Sequence, residues 1–309
     1  MPSSAVSTAK QLLRPIAKYR FLIERAKYFG TPVADAEAGN DYLRDCLATN
    51  RPLAAGKIGE VELGALLHRM SRAQATVVDW GRHTDRLYLN AGVFPPTAEA
   101  ISRFCDAYGR SLRDLDVLAV WFRFGENRVR KVYAPEARAV QLRALEPYFY
   151  AQPWSAALAD KRVLVITPFA DTVRAQYARR EHIWPNNPAV LPKFHLDTLR
   201  CPLSAALTAP RFADWTEALE AMQAEMSRRE FDVVLVGAGA WGLPLVAHAK
   251  RLGRSGLHLG GSTQILFGIR GARWDMNPAF QSFFNDAWVR PEASDRPENF
   301  LKIENGCYW

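Results

Sequence analysis

The stretch "FDVVLVGAGAWGLPLVAHAKRLG", from Phe231 to Gly253, constrains the fold more than any other part of the chain. Val233 to Val236 is short, apolar and mostly β-branched, as a strand buried on both faces must be. A glycine-rich turn follows it. Leu243 to Leu252 then carries helical patterning, with Pro244 tolerated in the first turn and Gly253 as the cap. A strand that passes through a tight turn into a helix is a βα unit, and repeated βα units build a parallel sheet. The pattern recurs along the chain. "LAAGKIG" (53–59) reads as a strand entering a helix from Glu60 to Met70, and "DVLAVW" (116–121) and "KRVLVITPF" (161–169) read as strands. "FHLDTL" (194–199) and "GLHLGG" (256–261) are shorter strand candidates. Helices are expected within 5–29, then at 35–48, 97–113, 136–147, 171–182 and 213–229, with a loop-rich stretch over 72–96. The expected fold class is α/β, a Rossmann-like mostly parallel sheet with helices on both faces.

Gly237, Gly239 and Gly242 have the G-x-G-x-x-G spacing of a dinucleotide-binding turn. An oxidoreductase using NAD or FAD is therefore one reading. That reading expects a carboxylate about 20 residues further on, to bind the ribose hydroxyls. No Asp or Glu lies between Asp232 and Asp275. The interval carries His248, Lys250, Arg251, Arg254, His258, Arg270 and Arg273 instead. The turn also comes late, with room for about one further strand, whereas a full dinucleotide fold needs several more βα units.

In parallel sheets ligands sit beyond the carboxyl ends of the strands. "ITPFADT", "VGAGAWG" and "HLGGSTQ" are such ends. After Gly260 and Gly261, the residues Ser262, Thr263 and Gln264 suit a helix cap or an anion. His258, Arg270 and Arg273 suit a diphosphate, and Trp241 or Trp274 suits a sugar or base. Glu60 and Glu62 stand two apart at a strand-to-helix junction. In extended backbone such residues face the same way, and two carboxylates can hold Mn2+ or Mg2+ that also binds substrate phosphates. Asp79, His83 and Asp171 are candidates for a general base, although Asp171 also suits a helix N-cap.

The 309 residues are 49% hydrophobic and 23% charged, which suits a single large α/β domain over 31–309. Cys46, Cys105, Cys201 and Cys307 are scattered and form no metal spacing, and no apolar run is long enough to span a membrane. A cytoplasmic protein is expected. The net charge of +8 is uneven. Residues 1–30 hold Lys10, Arg14, Lys18, Arg20, Arg25 and Lys27 against Glu24 alone, interleaved with Leu12, Ile16, Phe21, Leu22, Ile23 and Phe29. This basic amphipathic segment suits peripheral contact with the inner face of the cytoplasmic membrane. No nucleic-acid reading motif accompanies it.

"GKIGEVEL", "NAGVFP", "VGAGAWGLPLVAHAKRLG", "HLGGSTQILFGIRGARW" and the terminal "ENGCYW" resemble bacterial proteins of surface-polysaccharide synthesis, similar to glycosyltransferases of the GT-D type. The resemblance spans roughly residues 50–309 and is most specific in the last 80 or so. Such enzymes combine a Rossmann-like sheet with a divalent metal held by D-x-E within R-x-G-D-G-E. Matched onto this chain, Lys57 takes the Arg place, Gly59 the first Gly, Glu60 the Asp, Val61 the second Gly and Glu62 the Glu. Lys57, Glu60 and Val61 depart from that pattern. The resemblance implies transfer of a sugar from a nucleotide-diphosphate donor to a glycan or lipid-linked glycan acceptor, with Glu60 and Glu62 catalytic. It leaves beside it an oxidoreductase, or a non-catalytic scaffold of a polysaccharide-assembly complex.

Overall fold

The computed structural model describes residues 19–72, 79–202 and 211–309. Eight strands form one sheet in which every pairing is parallel. They are β1 (Val33–Ala34), β2 (Ala54–Gly56), β3 (Val117–Val120), β4 (Arg138–Gln141), β5 (Arg162–Thr167), β6 (His195–Arg200), β7 (Val233–Val236) and β8 (Ser255–His258). Their order across the sheet is β1-β4-β3-β2-β8-β7-β5-β6. The first strands run outward from β2 towards one edge, while β5 and β6 lie towards the other. The central strands β2, β8 and β7 therefore end side by side, where connections leave in opposite directions and a crevice opens.

Residues along each strand alternate between two cores. Ala54, Leu118, Val120, Leu164, Ile166, Val234 and Val236 face one. Ala55, Val117, Ala119, Val163, Val165, Val233 and Leu235 face the other. Both faces are thus dry, which is why these strands read as unbroken apolar runs. Residues 19–26 are helical and are α1 here; residues 1–18 lie outside the described residues. Then come α2 (Ala36–Ala48), α3 (Glu60–Ser71), α4 (Arg82–Arg86), α5 (Ala98–Arg113), α6 (Glu126–Tyr133), α7 (Ala170–Tyr177), α8 (Arg180–Ile183), α9 (Trp215–Ser227), α10 (Gly242–Arg251) and α11 (Ser262–Leu266). Helices α3, α5, α9 and α10 cover the first core, and α2 and α7 the second.

Three glycine contacts bring α10 onto the sheet. A Cβ on Gly56 would stand 2.7 Å from Leu243 Cδ2, and one on Gly256 2.8 Å from the Val246 Cα. A Cβ on Gly242 would overlap the His258 ring.

Two local expectations fail. The helix expected over 136–147 is strand β4 followed by short 3-10 turns. Its Ala, Arg and Leu content favours helix, but pairing of Leu118↔Ala139 and Ala119↔Val140 in the sheet interior overrides that weak preference. Strand β1 was not expected at all, and it is only two residues long. The stretch expected to be loop-rich over 72–96 also contains α4 and a π-type turn at Leu87–Ala91, and residues 73–78 lie outside the described residues.

The end of the N-terminal segment is tied to the body. Gly125 N–H donates to the buried Glu24 carboxylate at 3.2 Å, and the Tyr28 hydroxyl donates to Glu126 at 3.3 Å. The Asn127 side-chain amide donates to the Lys27 carbonyl. Tyr19, Phe21, Leu22, Ile23, Phe29 and the neighbouring Phe124 remain partly or largely exposed. Arg20 and Lys27 stand over the Phe124 ring.

Candidate active-site cleft

A cleft of about 470 Å³ lies over the carboxyl ends of the central strands. Lys57, Gly59, Glu60 and Glu62 reach it from β2 and α3, and Trp121 and Arg123 from the end of β3. Glu146 comes from the 3-10 turns after β4, Thr167 to Phe169 from β5, and Gly237 to Gly239 from β7. His258 to Gln264 follow β8, and Arg273, Trp274, Glu304 and Tyr308 close the cleft from the C-terminal turns.

Of the residues expected at a nucleotide-sugar site, Gly237, Gly239, His258, Gly260, Gly261, Ser262, Gln264 and Arg273 line this one cleft, with Glu60 and Glu62. Trp241, Gly242 and Arg270 do not. Trp241 is buried in the core, its ring 5.2 Å from that of Trp215. Gly242 opens α10 behind His258, so the first turn of α10 does not face the cleft as the glycine spacing had suggested. Arg270 turns to Asp275 at 3.3 Å and lies over the Phe284 ring. Asp79, His83 and Asp171 are also outside the lining. Asp171 is not the N-cap of α7, which is Phe169; it pairs instead with Arg174 and Arg200. Glu146 does line the cleft, mostly sunk into the wall and with its carboxyl pushed up by burial.

The glycines after β7 have internal reasons. A Cβ on Gly237 would stand 2.6 Å from Thr263 Oγ1 and 3.0 Å from the Gly260 carbonyl, so the first turn must lack a side chain for the second to nest on it. Gly239 has φ +49°, a backbone region that glycine enters freely. Gly242 makes room for the imidazole of His258. None of the three needs a pyrophosphate to explain it.

His258 is buried, and its Nδ1 lies 3.2 Å from the Val236 carbonyl. Burial, reinforced by Lys57, pushes its pKa down to about 3. The ring is therefore neutral, and donation from Nδ1–H leaves Nε2 as an acceptor. Thr263 and Gln264 are also buried. Gln264 Nε2 donates to the Tyr308 carbonyl at 2.9 Å. Thr263 Oγ1, Gln264 Oε1 and the Trp121 indole N–H have no hydrogen-bond partner among the described residues. An unmatched buried polar group costs about 1–3 kcal/mol, and the same holds for the indole N–H groups of Trp154, Trp215 and Trp241 in the core.

Glu60 and Glu62 both fall in the first turn of α3 rather than in extended chain. Helical residues two apart point about 200° apart. The same-face argument for them therefore fails. Glu60 turns outward and pairs with Arg123 at 3.4 Å. Glu62 is buried, its carboxylate folded back over Gly59 at the start of its own helix. Burial pushes its carboxyl up, while its own backbone N–H and Lys57 oppose that shift. Among the described residues no group of three or more His, Cys, Asp or Glu could hold a metal ion. The residues present do not fit an ion held jointly by Glu60 and Glu62.

No protein-family model and no curated protein matches the chain. Among solved structures it has a distant likeness to the "Selenomethionine substituted structure of domain of unknown function 1792 (DUF1792)". The two are 15% identical over 72% of this chain and 82% of that one, with a TM-score of 0.34. So remote a likeness carries no argument about the site. Among the described residues no helix is long and apolar enough to cross a membrane.

Proposed function

We propose that the cleft binds a nucleotide-diphosphate sugar and that the protein transfers the sugar to a glycan or lipid-linked glycan acceptor. The observation that carries this reading is the convergence of Lys57, Arg273, His258 and both glycine turns on one cleft at the strand ends. The resemblance to GT-D-type enzymes supports it. The oxidoreductase alternative loses its chief support, because Gly237 and Gly242 are accounted for by protein contacts and Gly239 by its positive φ. When the bond from sugar to diphosphate breaks, negative charge grows on the departing phosphate oxygen. Lys57 and Arg273 stand on the cleft to stabilise that charge, in surroundings where such stabilisation is strong. The neutral His258 and the side chain of Gln264 supply acceptors for sugar or ribose hydroxyls.

The test pairs a thermal-shift panel with a turnover assay on the full chain. Uridine or guanosine diphosphate should raise the melting temperature by mass action. Uridine- or guanosine-diphosphate sugars should release nucleotide faster when a lipid-linked glycan extract is added. A rise with NAD alone would favour the oxidoreductase, and no response to any nucleotide would leave the scaffold.

A further inference from the structure

The cleft holds three cations, and two of them are already paired. Arg123 meets Glu60 at 3.4 Å, and Arg273 meets Glu304. Lys57 is different. It leaves the end of β2, the central strand, and is half-buried. Its ammonium lies 5.2 Å from the centre of the Trp121 ring. It also lies against the second glycine turn, 3.2 Å from where a Cβ on Gly260 would be. Among the described residues it makes no ion pair and no hydrogen bond. Burial lowers its pKa, and the nearby Glu62 opposes that shift. A partly desolvated ammonium without a bonded partner is poised for an anion.

The carboxylates that would have to hold a divalent ion jointly are each engaged on the cleft wall: Glu60 pairs with Arg123, and Glu62 is folded onto the first turn of α3. The positive charge at the centre of the cleft therefore belongs to a side chain. We propose that the Lys57 ammonium, and not a divalent metal, neutralises the diphosphate of the donor, so that nucleoside diphosphate binding by this chain is independent of metal. This inference rests on the nucleotide-sugar reading above. Within it, Lys57 contacts the bridging or terminal phosphate oxygens while Gly260 leaves the ammonium room to approach.

The experiment measures binding of uridine and guanosine diphosphate to the full chain by calorimetry, first in EDTA and then with Mn2+ or Mg2+. It uses the wild type, Lys57→Met, Lys57→Arg and Glu60→Gln, with circular dichroism and melting curves to establish that each variant is folded. The expected result is binding in EDTA that either metal strengthens less than about twofold. Lys57→Met should weaken it at least about tenfold in either condition, and Lys57→Arg should retain most of it. Binding that appears only with metal and is abolished in Glu60→Gln would overturn the inference while keeping the donor reading. Failure of both nucleotides to bind under every condition would remove the donor reading and this inference together.

Discussion

At the end of β7, Gly237 and Gly242 are required by other atoms of the protein, Thr263 and the Gly260 carbonyl in one case and the His258 ring in the other. At the end of β8, Gly260 to Gln264 includes a threonine oxygen and an amide oxygen with no partner among the described residues. The first turn has the more familiar spacing, yet its job is to let a helix and a second turn come close. The second turn has no such fingerprint, yet it brings Ser262, Thr263 and Gln264 to the cleft wall. A glycine pattern reports that something approaches the backbone closely. It does not report whether that something is a ligand or the rest of the chain.

The largest expected effect tests the packing role of the first turn. Gly242→Ala places a methyl group into His258, beneath a helix that cannot lift without parting from Gly56 and Gly256. It should destabilise the fold by more than about 3 kcal/mol, at the upper end of overpacking effects. Gly261→Ala meets only the Trp274 ring edge at 3.1 Å and an Arg273 nitrogen at 3.6 Å, and should cost about 1 kcal/mol or less. Urea denaturation of the two variants measures the difference. Equal losses would break the contrast between the turns.

A comparable effect comes from a carboxylate whose hydrogen bonds are filled by protein. Glu126, fully buried, accepts the N–H groups of Trp121 and Arg123 at 3.2 and 3.3 Å and so fixes the strand end that bears two cleft residues. Burial nevertheless pushes its pKa up to about 7. The folded state thus holds this proton more tightly than the unfolded state. The stabilisation is complete below the ordinary carboxylate pKa and is lost as pH rises to about 7, a change of roughly 3 kcal/mol. Glu126→Gln should flatten that part of the pH–stability profile. An unchanged slope would show that the carboxylate is already ionised below pH 5.

The smallest effect is the most informative about the second turn. Thr263→Val removes the unpartnered hydroxyl and keeps the shape. Stability should stay the same or rise by up to about 1 kcal/mol, because a buried group without a partner is lost. A destabilised variant would mean that the hydroxyl is bonded within the fold.

The sheet was readable because strands dry on both faces must be apolar throughout, as at Val163–Ile166 and Val233–Val236. Strand β4 was not, because Arg138–Gln141 has helical composition and becomes a strand only through its neighbours. The cleft was partly readable. Lys57, Glu60, Glu62 and the two glycine turns stood out as segments. Their directions did not, since a side chain two residues along points the same way in a strand and nearly the opposite way in a helix. Arg123 and Glu146 gave no local signal. They sit in irregular turns, and only the closing of the fold carries them to the cleft.

Phe122 has φ +57°, a strained value for a side-chain-bearing residue, and its ring is gripped edge-on by Phe21 and Tyr28, each 5.4 Å away. Its neighbours Trp121 and Arg123 line the cleft. The N-terminal segment is therefore a wedge under one lip of the cleft as well as an outward basic surface. Cutting away residues 1–30 to remove a supposed membrane tether would also release that wedge. A shortened protein that stays dissolved yet binds ligand poorly would then be reporting a lost brace, and the two roles separate only when the exposed Phe29 is changed while Phe21 and Tyr28 are kept.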